Sequence, residues 1–579
     1  MDTINLTIDG IEVKTTRGKR ILEAALDAGI YIPNLCALRD IKLPFGACRL
    51  CQVQIEGRRG TITACSEPAA EGMVVHSDTP EVNCLRREIL EIMLARHPHE
   101  CLTCWRKERC QPFDICLRNV SVTERCVTCP KNRHCELQKV ADYIGLDTMA
   151  FAYTSKGLPV EMENPFIVRN NNLCILCGRC IRVDQEILGF EAIAFNLRGA
   201  ETYIGGAFGK PLIESGCTFC GSCIEVCPTG ALMDRGEEWN RWTERESLSI
   251  RCKYNCPARV DVPRFIRFIR EKKYAEAVAV IRESVPFAAA CSLICEHPCE
   301  AEGACRRGDL DQPVAIRALE RFAVERSSMY EPSEGLKAAP SGKKIAIVGS
   351  GPAGLTAAYY LAKKGGHTVT VFESLSQPGG MMRAQIPDYI LPRDILDAEI
   401  EGLSKLGVKI KTESKVVSVD KLFEKGFDAV LLATGVTAEL DKFSGEIGKK
   451  TGRKGVFTCD NAVSGMISFI EAVAAGRQAA VSIDRYLGGT GIMGESLAPM
   501  IEGVPRVGRI DSFAQRRRQE MPAAKPAKPV GNFSQVELGF SDELGQEEAK
   551  RCMGCDLRFA VARMVAGPEG KFAKTLARS

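Results

Sequence analysis

Cysteine is the residue whose number and spacing could do chemistry in this chain. There are 28 among 579 residues, and they fall in blocks. Residues 36–135 hold twelve, 174–227 hold seven and 252–305 hold six, with Cys459 alone and Cys552 and Cys555 near the end. Cys36-x11-Cys48-x2-Cys51-x13-Cys65 sets four thiolates in a loop-then-pair spacing. That suits a [2Fe–2S] cluster, whose two irons each take two sulfurs; a structural zinc site is the alternative. His97-x3-Cys101-x2-Cys104-x5-Cys110 offers one imidazole and three thiolates, a set that can hold a [4Fe–4S] cluster at a potential raised by the histidine. A helix-end histidine beside Pro98 is the structural alternative. The Cys-x2-Cys-x5-Cys unit recurs 25 residues on as Cys126, Cys129 and Cys135, which reads as an internal duplication. Val122 stands where this second unit would need its histidine, and Cys116 is the nearest spare thiol. Cys116, Cys126, Cys129 and Cys135 therefore read as a second [4Fe–4S] cluster, with zinc as the alternative because a tetrahedral S4 set fits both metals.

Cys174-x2-Cys177-x2-Cys180 and Cys217-x2-Cys220-x2-Cys223-x3-Cys227-Pro form the bacterial two-cluster ferredoxin motif, in which the last cysteine of each run serves the other cluster. Cluster A then takes Cys174, Cys177, Cys180 and Cys227. Cluster B takes Cys217, Cys220, Cys223 and the residue at 184, which is Asp184 instead of cysteine. Asp184 either ligates iron through oxygen, or leaves a [3Fe–4S] cluster, or stands solvated beside three thiolates. Cys84 and Cys459 fall outside every spacing and read as packing residues.

The elements that must position these groups are legible only coarsely. Residues 1–82 begin strand, turn, strand (INLTIDG, EVKTT), then helix (RILEAALDAG), and a further helix over CLRREILEIMLARHP leads to His97. Apolar residues make up 45% and charged residues 26%, so wholesale disorder is not expected. A net charge of +4 gives no basic excess for a nucleic-acid partner. No signal peptide and no apolar run long enough for a membrane span are visible. A cytoplasmic protein that spends cysteine on metal is the expectation.

The ferredoxin turn FGACRLCQVQIEG and the His/Cys segment resemble the N-terminal domains of the complex I large peripheral subunit and of iron-only hydrogenases. Residues 251–325, with helical spacing in VPRFIRFI and AEAVAVI, resemble the iron–sulfur domain of the glutamate synthase small subunit and of dihydropyrimidine dehydrogenase. That family carries a Cys-x2-Cys before its RCxxxCP unit; here nothing of the kind precedes Cys252, and EEAKRCMGCD near the C-terminus resembles the missing segment. The resemblance implies one [4Fe–4S] cluster on Cys252, Cys305, Cys552 and Cys555, the tail folding back, and another on Cys256, Cys295 and Cys299 with Glu320 or Cys291 as fourth ligand.

Residues 342–380 hold a short apolar strand, Gly349-x-Gly351-x-x-Gly354, a helix, and a second strand ending at Glu373, 19 residues past Gly354. This is the dinucleotide fingerprint in its full context: glycines for tight turn and close approach, a helix N-terminus for pyrophosphate, an acid for the ribose. VFES followed by QPGG, with Gly380, resembles the FAD half of the glutamate synthase small subunit, as do DAVLLATG ending at Gly435 and GVFTCDNAVSG. The family's NADPH domain between these last two segments is missing, and Asp460-Asn461 replaces its Gly-Asp, so Asp460 or Asn461 is the expected flavin contact.

The fold class expected is multidomain α+β and α/β. It comprises a β-grasp [2Fe–2S] ferredoxin (1–82), a duplicated His/Cys segment (83–145), a two-cluster ferredoxin (146–240), a helical iron–sulfur domain (241–335) and a Rossmann-type FAD domain (336–495). Residues 496–579 are a Pro/Ala/Lys-rich linker and the returning cysteine pair, with its Arg516–Arg518 run solvated or facing a partner. The resemblances imply an electron-transfer subunit of a multi-subunit oxidoreductase working among NAD(H), NADP(H), ferredoxin and H2 or formate. Partners implied are an NADH/FMN-type flavoprotein subunit, a thioredoxin-like [2Fe–2S] subunit, a hydrogenase or formate dehydrogenase subunit, and ferredoxin. A stand-alone flavoenzyme reducing a small substrate and a zinc-rich scaffold are the competing readings.

Overall fold

The computed structural model describes residues 2–236, 244–295, 299–327, 338–435, 453–459, 468–500, 503–524 and 537–565. Two units account for it: Met1–Ser249 with Ile501–Gln515 and Gly554–Ser579, and Ile250–Met500 with Arg516–Met553. Among the described residues no helix is long and apolar enough to cross a membrane.

The N-terminal unit opens with β1 (Thr3–Ile8), β2 (Ile11–Thr16), α1 (Ile21–Asp27), β3 (Gln52–Ile55), β4 (Ile62–Thr63) and β5 (Val74–His76). Their sheet runs β2-β1-β5-β3-β4, with β1 and β5 parallel and the other pairs antiparallel. Alternate residues of β1 (Ile4, Leu6, Ile8) point to one core, the period-2 pattern of a half-buried strand. α1 covers that core with Ile21, Leu22, Ala24 and Ala25, and Cys51 and Cys65 belong to it. α2 (Pro80–Leu94) starts on a Thr79 cap with proline in its first turn, and α3 (Glu136–Ile144) begins directly after Cys135. Leu90 and Leu94 of α2 and Leu137 and Val140 of α3 share a second core with Cys36, Cys48, Cys135 and Cys177. The ferredoxin segment adds β6 (Val160–Glu161), β7 (Ile167–Asn170), β8 (Ile193–Asn196), β9 (Tyr203–Gly206) and β10 (Leu232–Asp234), as a β10-β7-β6 sheet and a β8-β9 hairpin.

In the C-terminal unit, α4 (Val262–Arg270), α5 (Tyr274–Arg282), α6 (Ala288–Ile294) and α7 (Ile316–Arg326) form a helical group. α4 buries Phe265, Ile266, Phe268 and Ile269 while its arginines lie on the other side, the amphipathic pattern read from the sequence. Then come β11 (Lys344–Val348), α8 (Pro352–Lys363), β12 (Thr368–Phe372), α9 (Arg393–Lys405), β13 (Lys409–Lys411), β14 (Ala429–Leu432), β15 (Val456–Thr458) and α10 (Phe469–Tyr486). The strands form one parallel sheet, β13-β12-β11-β14-β15. Its central strands are buried on both faces, as parallel sheets require.

The described residues of the 496–579 stretch make packed contacts, while most of its Pro/Ala/Lys-rich part lies outside the described residues. Val507 and Gly508 N–H groups donate to Leu188 O at 2.9 Å, and the Phe513 ring lies 6.1 Å from that of Phe219. In the Arg516–Arg518 run Arg517 is exposed, as expected, but its neighbours are paired: Arg516 with Glu547, and Arg518 with Glu302, Arg518 also donating to Pro313 O at 2.9 Å. The acidic partners come from segments distant in sequence, which charge patterning alone could not supply. The second returning piece, α11 (Asp542–Ala549), leads into Arg551, fully buried, which donates to the Asp311 carboxylate, Gln312 O and Glu548.

Candidate metal centres and nucleotide cradle

In the first cysteine loop the four thiols form two pairs. Cys48 N–H donates to Cys36 Sγ at 3.4 Å and Leu35 N–H to Cys48 Sγ at 3.3 Å, while Cys51 and Cys65 lie side by side. All four are buried. Two adjacent pairs with backbone N–H groups aimed at sulfur are what a two-iron cluster uses, the amide bonds also tuning its potential.

In the ferredoxin segment the two runs repeat one turn. Leu176 N–H donates to Cys174 Sγ and Phe219 N–H to Cys217 Sγ, each at 3.4 Å, with both donors in left-handed backbone (φ 53° and 58°). Cys174, Cys177, Cys180 and Cys227 line one small cavity. Asp184 is an electrostatic neighbour of Cys217, Cys220 and Cys223, and Cys223 is one of Cys180 and Cys227. The two sets read from the spacing are thus each gathered together, and they adjoin. Asp184 is not solvated: it is buried in a π-helical turn, Val183–Leu188, and its Oδ2 accepts from Ala192 N (2.7 Å) and Ile193 N (2.9 Å). Burial pushes its carboxyl up to about 7.

Arg179 joins three of these loops. Fully buried, it holds Glu136 through both carboxylate oxygens (2.8 and 2.9 Å) and reaches Asn34 Oδ1 at 3.5 Å. Glu136 comes directly after Cys135, Asn34 precedes Cys36 by two, and Arg179 precedes Cys180. Lys131 Nζ caps Cys227 O at 2.8 Å, and Lys156 donates to Asn171 O and Cys174 O. Sequence reading missed these cations. Their only local signal is a basic residue within a few positions of a ligand, which is too common to single out.

Residues 97–135 arrange themselves otherwise than by order in the chain. His97 is buried, its Nδ1 2.9 Å from Pro98 O. Cys126 N–H donates to Cys101 Sγ at 3.4 Å, and the Cys126 thiol draws Cys101 down to about 6. Cys101, Cys104, Cys110, Cys116 and Cys126 line one cavity, and Cys129 and Cys135 lie toward Cys227 and Pro228. Cys84, read as a packing residue, is exposed on α2 with its thiol 3.6 Å from Glu88; Cys459 is buried.

In the C-terminal unit Cys256, Cys291, Cys295, Cys299 and Glu320 form one group, with Cys295 between Cys291 and Cys299. Glu320, buried on α7, is pushed up to about 8 by burial. Both candidates for the fourth ligand are therefore present. Glu399 of α9 accepts from Ala289 N (2.9 Å) and Ala290 N (3.0 Å), capping the helix that carries Cys291, and burial pushes it up to about 7. Cys252, Cys305 and Cys552 lie in this unit, Cys305 beside Arg551 and Cys552 beside Arg270; Cys555 lies in the N-terminal unit. Among the described residues no three His, Cys, Asp or Glu side chains converge on a single-ion site.

The fingerprint glycines come directly after β11. A Cβ on Gly349 would stand 2.4 Å from Ala433 O and one on Gly354 2.2 Å from Gly349 O, so neither tolerates a side chain. Gly351 faces open space, and Gly380 presses on it, a Cβ there lying 2.7 Å from Gly351 Cα. This is a bare backbone cradle at a helix N-terminus, which fits a dinucleotide pyrophosphate. Glu373 directly follows β12, its Oε2 accepting from Ser350 N and Oγ and its Oε1 from Leu375 N. Gly435 is described and open; Asp460 and Asn461 lie outside the described residues.

Known proteins divide along the same lines. Residues 1–80 match the 2Fe-2S iron-sulfur cluster binding domain and 86–112 the NADH-ubiquinone oxidoreductase-G iron-sulfur binding region. Residues 164–233 match the NADH-quinone oxidoreductase subunit 3 ferredoxin-like domain. These three matches all fall in the N-terminal half. Residues 245–331 match the 4Fe-4S domain II of dihydropyrimidine dehydrogenase and 347–393 an NAD(P)-binding Rossmann-like domain. The NADP(+)-dependent formate dehydrogenase subunit beta of Moorella thermoacetica is 40% identical over 49% of this chain and 44% of its own length. The NADPH-Fe(3+) oxidoreductase subunit beta of Geobacter sulfurreducens is 35% identical over 47% and 39%. The NADP-reducing hydrogenase subunit HndD of Solidesulfovibrio fructosivorans is 30% identical over 41% and 37%. The chain spans less than half the length of these relatives.

Proposed function

We propose that this chain is an iron–sulfur and FAD electron-transfer subunit of a multi-subunit oxidoreductase, moving electrons among NAD(H), NADP(H), ferredoxin and H2 or formate. The observation that carries the reading is the succession of buried thiol groups in the N-terminal unit, held loop to loop by Arg179. Cys36, Cys48, Cys51 and Cys65 would hold a [2Fe–2S] cluster in a β-grasp ferredoxin. Cys174, Cys177, Cys180 and Cys227 would hold one [4Fe–4S] cluster, and Cys217, Cys220 and Cys223 with Asp184 another. Cys256, Cys295 and Cys299 with Glu320 or Cys291 would hold a third. Cys252, Cys305 and Cys552, with Cys555 next in Cys-x2-Cys spacing, are read from the sequence as a fourth. Such clusters supply one-electron carriers, and a flavin supplies the exchange between one- and two-electron chemistry.

The chain's own residues bury, orient and charge these sites. Backbone N–H groups of Leu35, Leu176 and Phe219 aim at sulfur, and Lys131, Lys156 and Arg179 place positive charge beside anionic sites. FAD is preferred to NAD(P) at Gly349, Gly351, Gly354 and Gly380 because VFES…QPGG resembles the flavin half of the glutamate synthase small subunit. Partners of the flavoprotein, thioredoxin-like, hydrogenase or formate dehydrogenase type accord with the reading, since the relatives are named as subunits. The test is anaerobic purification of the native protein with iron, sulfide, zinc and flavin analysis and identification of co-purifying subunits. Iron, FAD and redox partners are expected. A lone chain active with NADPH, or zinc in place of iron, overturns the reading.

A further inference from the structure

The two copies in residues 97–135 are offset by 25 at every shared position: Cys101 and Cys126, Cys104 and Cys129, Cys110 and Cys135. Excising residues 101–125 would leave His97-x3-Cys126-x2-Cys129-x5-Cys135, the same one-imidazole, three-thiol spacing that the first copy shows. Sequence therefore cannot say which copy the imidazole serves. Proximity in the chain favours the first.

The structure favours the second. Cys101, Cys104, Cys110, Cys116 and Cys126 line a single cavity of about 350 Å³, and His97, Cys129 and Cys135 are not among its lining residues. Cys129 and Cys135 face the ferredoxin segment. A Cβ on Gly230 would stand 2.6 Å from Cys129 Sγ. Cys135 Sγ lies 3.5 Å from Pro228 O, and Glu136 N–H donates to the same carbonyl at 3.0 Å. His97 has Lys156 as its charged neighbour, the same lysine that donates to Asn171 O and Cys174 O. With Nδ1 turned to Pro98 O, the imidazole has Nε2 to offer a metal.

We infer that residues 101–125 are a self-contained insert holding its own four-thiolate iron–sulfur cluster on Cys101, Cys104, Cys110 and Cys116, and that His97 serves Cys126, Cys129 and Cys135. The inference rests on the reading of this segment as iron–sulfur binding. The Cys126 N–H bond to Cys101 Sγ makes the two sites neighbours.

The test uses the full chain, purified anaerobically, with iron, sulfide and zinc content and EPR of the reduced protein. The double variant Cys110→Ala/Cys116→Ala should lose about four irons and one EPR signal. His97→Cys should keep all iron and shift the g values and midpoint of a different signal. If the double variant folds poorly, deletion of 101–125 should lose the same iron and keep the His97-sensitive signal. The inference is overturned if His97→Cys and Cys110→Ala/Cys116→Ala change the same signal, or if zinc occupies the cavity. If neither variant nor Cys129→Ala changes the iron content, the iron–sulfur reading of the segment itself fails.

Discussion

Asp184 shows how much one side chain can change a motif. The ferredoxin spacing calls for cysteine at this position, and the structure keeps a carboxylate there, buried beside three thiols and anchored by two amides. Asp184→Cys is expected to give a stable four-thiolate cluster with a changed potential; an unchanged EPR signal and midpoint would remove position 184 from the cluster. Glu399 is a buried acid of another kind, a helix cap. Because its folded pKa, about 7, lies above the ordinary 4.5, the folded chain holds this proton more tightly than the unfolded chain. Its contribution to stability is fully present below about pH 4.5 and is lost as pH rises through 7, about 3 kcal/mol in all. Thermal unfolding of the C-terminal unit's transition across pH 4–8 should show this decline, and Glu399→Gln should flatten it.

At the scale of elements, the cysteine loops are placed by the helices that flank them. α3 begins on Cys135, and its first residue, Glu136, is the partner of Arg179. Arg179→Ala would leave that carboxylate facing a vacated buried site, and removing one member of such a pair costs about 3–5 kcal/mol. Chemical denaturation of the anaerobic protein should show the loss. Arg179→Met combined with Glu136→Leu should recover most of it, since an apolar pair of similar volume removes the uncompensated charge. Recovery by the double variant separates this role from a general loss of fold.

At the scale of the molecule, the C-terminal segment serves both units. Residues 542–553 belong to the C-terminal unit, where Arg551 and Glu548 tie down the loop after Cys305. The helix Leu557–Ala562 belongs to the N-terminal unit, where Arg558 pairs with the buried Asp234 and Glu225. Truncation at residue 545 should lose one cluster's worth of iron; unchanged iron content would refute a ligand role for Cys552 and Cys555. Truncation after Cys555 should keep that iron yet destabilise the N-terminal unit by about 3–5 kcal/mol, because Asp234 and Glu225 lose their buried cation. Proteolysis rates of the two truncations would distinguish these effects.

Candidate ligands could be read from the sequence because cluster loops are local. Cys-x2-Cys spacings and the Gly349–Gly354 turn are set by a few consecutive backbone angles, and the period of β1 or α4 by one face of burial. Grouping was not local. Which thiols share a cavity in residues 97–135, that Glu320 and Cys291 both reach the Cys256 group, and that Arg516 and Arg518 have acidic partners all depend on segments far apart in the chain. The same holds for Arg179, which looks like any arginine beside a cysteine. Its two carboxylate contacts and its amide contact come from residues 43 and 145 positions away. Spacing alone therefore determined the kinds of chemistry this protein can hold. Tertiary packing decided which residues act together, because only it sets the burial and the cross-chain contacts that a buried charge or an exposed thiol must find.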